Sequence, residues 1–172
     1  MSAFKWLIEE GDEPEFDVRA AAALLETDVT TLQTWAARGI TDFAGTRPGR
    51  SGKRLYSGHN LAVLRAGLLL VELGFRPPHA MSAAGQAYID ALSFLSAGVK
   101  RGEAWKYGEL AGAVALIGSG DAGVPNVRVA ITGRHEIPFA ELFSGRPIVT
   151  FACGLVFEQI AERALAWRKE DA

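Results

Sequence analysis

"FDVRAAAALLETDVTTLQTWAARGI", residues 16–40, is the stretch that decides how the chain is read. Val18, Ala21, Leu24 and Leu25 recur at i, i+3, i+6 and i+7, which lays one apolar face along a helix over 16–26. Asp17 supplies a short carboxylate able to cap the first free N–H groups of that helix. Thr27 and Asp28 leave room only for a very short break. Asp28 is also a suitable N-cap for a second helix that carries Val29, Leu32, Trp35 and Ala36 on one side. Gly39 follows where a left-handed residue normally closes a helix. Two short helices across a tight turn make a helix-turn-helix arrangement.

Outward from this pair, residues 41–60 read "TDFAGTRPGRSGKRLYSGHN". Their glycines and proline rule out a long helix, and Phe43 and Leu55-Tyr56 are expected to form the short strands of a hairpin. Arg47, Arg50, Lys53 and Arg54 crowd into this loop. Ser57 caps a third helix with Leu61, Leu64, Leu68 and Val71 inward and Gly74 at its end, and Pro77-Pro78 opens a fourth. On the other side, residues 1–15 carry one Lys against five acidic residues and read as an acidic leader, with a short strand or helical turn over 4–8.

The ordered set of Phe16, Leu32 with Trp35, Gly39-Ile40, Arg54-Leu55-Tyr56-Ser57 and Leu73-Gly74-Phe75 resembles the DNA-binding domain of the MerR family over residues 16–84. The resemblance implies a winged helix-turn-helix, double-stranded DNA as partner and a transcription regulator as the whole. Gln33 stands where the family has Arg, and Thr34 where it has an aromatic residue. The long dimerising helix that the family places after its fourth helix is not evident. On the residues themselves, the polar side of the second helix offers Thr30, Thr31, Gln33, Thr34 and Arg38 to base edges and phosphates. Arg47, Arg50, Lys53 and Arg54 are suited to follow the phosphate backbone, and Tyr56 can give its hydroxyl to a phosphate or simply pack.

Charge points the same way: residues 16–80 hold eight Lys or Arg against five Asp or Glu, although the whole chain is at −2. With 172 residues, 49% hydrophobic and 22% charged, the chain fits a globular protein with a substantial core. No apolar run is long enough to span a bilayer and no secretion signal opens the chain, so the expected location is the cytoplasm.

Residues 113–123, "AVALIGSGDAG", fit G-x-G-x-x-G at Gly118, Gly120 and Gly123. A dinucleotide site needs a helix to start at those glycines. Here Val127 to Thr132 alternates and is rich in β-branched residues, so a strand follows and the glycines join two pieces of sheet. His59, His79 and His135 lack metal-ligand spacing. Ser119 and Ser144 have no base nearby in sequence, and Cys153, the only cysteine, reads as a buried small hydrophobe. No catalytic, cofactor or metal site is expected.

Beyond residue 85 the sequence predicts a helix over 87–95, strands over 113–117, 127–132 and 148–152, a helical turn over 138–143 and a final helix over 155–168. In the last, Phe157, Ile160, Ala164 and Trp167 form one stripe, which serves either a homodimer contact or packing on the chain's own sheet. The expected architecture is α+β: an acidic leader over 1–15, a MerR-like winged helix-turn-helix over 16–84, and a small α/β accessory domain over 85–172 for dimerisation or for an effector of unnamed chemistry. Two other roles use the same winged helix: an architectural or excisionase-like DNA-binding protein of a mobile element, and a module that binds protein.

Overall fold

The computed structural model describes residues 3–41, 54–100, 112–119, 125–131 and 148–170. They form six helices and five strands: α1 (Ala3–Glu9), β1 (Pro14–Phe16), α2 (Val18–Leu25), α3 (Val29–Ala37), β2 (Tyr56–Ser57), α4 (Gly58–Glu72), α5 (Pro77–Lys100), β3 (Ala113–Ser119), β4 (Pro125–Ile131), β5 (Ile148–Phe151) and α6 (Cys153–Glu170). The architecture is mixed helix and strand with two small antiparallel sheets.

The helix signals in the sequence have direct counterparts. Asp17 accepts hydrogen bonds from the Arg19 and Ala20 N–H groups at 2.9 Å. Ser57 and Asn60 form a reciprocal capping box at the start of α4. Gly39 and Gly74 take left-handed φ values of 67° and 94° just past α3 and α4. Asp28 occupies the N-cap position of α3 in extended conformation but makes no side-chain cap bond.

α4 lies at the centre. Leu61, Leu64 and Leu70 are buried, and Ala62, Ala66 and Gly67 let neighbours approach closely. α5 and α6 both pack on it. The larger sheet has the order β4-β3-β5. Along β3, Ala113, Ala115 and Ile117 alternate inward and are buried, with α6 against that strand and α5 against both β3 and β4. Cys153 is fully buried, its Sγ 3.4 Å from the Ala113 carbonyl oxygen, and burial pushes its thiol up to about 12.

Four expectations change. Residues 3–9 are not part of a detached leader: α1 packs on α6, with Trp6 and Leu7 each 1% exposed. Tyr56 pairs with Phe16 of β1, so its strand belongs to a ladder with the N-terminal segment; Phe43 lies outside the described residues. The helix expected over 87–95 is part of α5, which runs unbroken from Pro77 to Lys100, so a long helix does follow α4 and the boundary expected at 84–85 falls inside it. Phe157, Ile160 and Ala164 are buried in the chain's own core. The stripe on α6 is thus satisfied internally and is not available to a second copy; Trp167, half-buried, packs against the same core. The turn expected over 138–143 lies outside the described residues.

Candidate nucleic-acid interface

The α2–α3 pair is short, and its geometry is set at one residue. α2 ends at Glu26, which holds φ 56° and ψ 45°, the left-handed conformation usually left to glycine or asparagine. Its N–H reaches back to Ala23 and that of Thr27 to Ala22, which closes the helix and sends the chain into α3 after three residues. Two arginines converge on this corner. Arg163 of α6 sits 3.0 Å from the Glu26 carboxylate and donates to the Leu24 carbonyl at 3.3 Å. Arg65 of α4 sits 3.3 Å from the same carboxylate and donates to the Leu25 carbonyl at 3.2 Å. Two carbonyls left free at the end of α2 are thereby satisfied. The hydrogen bond from Arg163 and its charge, with Arg65 adding to them, hold the Glu26 carboxyl below its ordinary range despite some desolvation. Sequence reading missed this cluster, because its members come from three helices and no local pattern links them.

α3 buries Leu32 and Trp35 and packs on α2. Its opposite side is polar. Thr30, Gln33 and Arg38 are exposed, whereas Thr31 and Thr34 are half-buried. Of the five residues expected on this face, three are thus fully presented to solvent and two only in part.

The cations of the loop divide differently. Arg47, Arg50 and Lys53 lie outside the described residues. Arg54 is half-buried, and its Nη1 is buried without a hydrogen-bond partner. Tyr56, expected to reach a phosphate, is 1% exposed and belongs to the core; burial raises its hydroxyl above the ordinary range, and the neighbouring Arg54 opposes that shift. The reason is its place in β2, where the ladder to Phe16 turns the ring inward.

The glycine-rich stretch also resolves. β3 and β4 are antiparallel neighbours with Ser119 opposite Pro125, so residues 120–124 connect two hairpin strands, and the strand resumes where a nucleotide-binding helix would have to begin. Among the described residues no group of His, Cys, Asp and Glu could hold a metal ion, and no helix is long and apolar enough to cross a membrane.

No protein-family model and no curated protein matches the chain.

Proposed function

We propose that the chain is a sequence-specific DNA-binding regulator of MerR-like winged-helix type, with α3 as the helix that enters the major groove. The observation that carries this reading is the face of α3: a nine-residue helix that buries only Leu32 and Trp35 and turns Thr30 and Gln33 to solvent after a tight corner, with Arg38 exposed at its C-cap. A helix of that width fits the major groove, where Gln pairs with adenine, and Arg with guanine or a phosphate. The acidic corner beside α3 supports it as well, since Glu26 is neutralised by two guanidinium groups and adds no net repulsion toward a phosphate backbone.

The test is retention of a randomised duplex pool by the full chain, followed by selection. Binding should weaken steeply with added salt. Arg38→Ala should lower affinity for all sequences and reduce the salt slope by about one unit if Arg38 meets a phosphate. Gln33→Ala should relax selectivity at one or two base pairs, at a cost on the order of 1–3 kcal/mol. Absence of salt-dependent retention at low ionic strength would reject DNA binding, and the protein-binding role of the same helices would then be the one to pursue.

A further inference from the structure

Glu26 is the one residue other than glycine, among the described residues, that holds a positive φ. A glycine would take that conformation without steric cost. A strained residue kept at a bend raises the question of what its side chain does there. The Glu26 carboxylate collects two guanidinium groups, one on each oxygen: Arg163 at Oε1, 3.0 Å away, and Arg65 at Oε2, 3.3 Å away.

α3 has no side-chain fastening at its own start. Asp28, its N-cap residue, makes no side-chain cap bond. The helix packs chiefly on α2, so its direction follows from where and how α2 ends. That end is braced from outside the pair. Arg65 comes from α4, on which α2 already packs. Arg163 comes from the last helix, and its Nη1 alone meets both the Leu24 carbonyl, at 3.3 Å, and the Glu26 carboxylate. One nitrogen thus bridges the last turn of α2 and the bend that follows it. The Arg163 side chain is 41% exposed and that of Glu26 56%, so this pair adds little to global stability. A bridge between two neighbouring points of the chain fixes their relative geometry instead.

We propose that Arg163 is a positioning residue for DNA recognition: by bridging the Leu24 carbonyl and the Glu26 carboxylate it sets the direction in which α3 leaves α2, without itself touching DNA. This rests on the reading of α3 as the helix that enters the major groove. Gln33 can pair with a base edge only within a narrow range of distance and angle, so a loosened corner costs affinity although every DNA-facing side chain is still present.

Arg163→Met keeps an unbranched apolar stem and removes the charge and the donors. In the full chain it should weaken binding to the selected duplex on the order of tenfold. The salt dependence should stay as in wild type, because no phosphate contact is lost. Lys169→Met removes the same charge from an exposed position on the same helix and should leave affinity within about twofold. Arg163→Lys should restore most of the affinity, since a single nitrogen makes both contacts and an ammonium has donors enough for them. Amide hydrogen exchange supplies a readout independent of DNA. The Thr31 and Leu32 N–H groups, which donate to the Asp28 carbonyl in the first turn of α3, should exchange faster in Arg163→Met than in wild type, while those of α4 keep their rates. Wild-type affinity in Arg163→Met, or unchanged exchange at Thr31 and Leu32, overturns the positioning role. A salt slope reduced by about one unit would make Arg163 a phosphate contact and overturns it as well. No salt-dependent retention of duplex by the wild-type chain rejects the DNA reading instead, and the exchange rates then decide by themselves whether Arg163 holds the corner.

Discussion

Glu26 sits in a backbone conformation that costs a non-glycine residue about 1–2 kcal/mol, yet it is the pivot of the α2–α3 corner. Its carboxylate is more than half exposed, so its ion pairs are weak as sources of stability; their effect is to bring Arg65 and Arg163 to the carbonyls of Leu25 and Leu24. The folded-state carboxyl is held below the ordinary value of 4.5, so its contribution is complete above that value and is lost as pH falls through the lower, folded one. Glu26→Gln should therefore lower the melting temperature at neutral pH, and the gap to wild type should close on acidification below about pH 4.5. Melting curves across that range decide it; a gap that stays constant with pH would show that the carboxylate charge does nothing at the corner. A sequence window cannot register such a residue, since Arg65 and Arg163 approach from 40 and 139 positions away from the carbonyls they meet.

At the scale of elements, α1 shows how charge misleads. The first fifteen residues carry five acidic side chains against one Lys, but within them Trp6 and Leu7 of α1 are buried, with α1 packed against α6. The segment is then fastened to α4: the His59 N–H donates to the Gly11 carbonyl at 2.9 Å and the His59 ring to that of Leu7. Trp6→Ala should cost about 3–5 kcal/mol, a large part of a typical total of about 5–15 kcal/mol. Urea unfolding measures it, and a near-zero change would mean that α1 is dispensable. Caps and periodicity were readable from sequence because they are local: Asp17, Ser57, Gly39 and Gly74 act within a few residues of themselves. The β3–β4 hairpin was readable for the same reason, from the alternating residues after the glycines. What was not readable needed distant partners or a context that overrode propensity. The helix opening at Pro77-Pro78 and the helix over 87–95 read as two, yet α5 runs through both because the alanines on its inner face are held against α4. Tyr56 and the stripe on α6 were visible as patterns, but only their neighbours in space say that they face inward. The outward side of α3 was the part of the candidate site that its own spacing disclosed, with Thr31 and Thr34 less open than the pattern suggested.

For the molecule as a whole, α6 decides what counts as a unit. It touches α1, α2, α4, α5 and β3. Phe157, Ile160 and Ala164 enter the same core as Leu25, Leu61 and Leu64, and Phe157 meets Tyr88 edge-on. Arg163 reaches the α2–α3 corner, while Arg168 pairs with Glu10 at 3.3 Å and Glu15 at 3.0 Å and lies 5.9 Å from the centre of the Trp6 ring. The last helix therefore completes the N-terminal half instead of capping a separate one. Residues 1–84 alone would end inside α5, lose the cover that α6 gives to α1 and α4, and leave the Leu24 carbonyl without Arg163. That fragment should show no cooperative thermal transition, whereas the full chain should melt in a single one, by circular dichroism at matched concentrations. A fragment that melted sharply near the full-length temperature would establish residues 1–84 as an independent domain and reduce α6 to an accessory. The contacts of α6 argue for the opposite: the α2–α3 corner, behind the face of α3 that we propose meets DNA, is held in place by a helix that arrives at the far end of the chain.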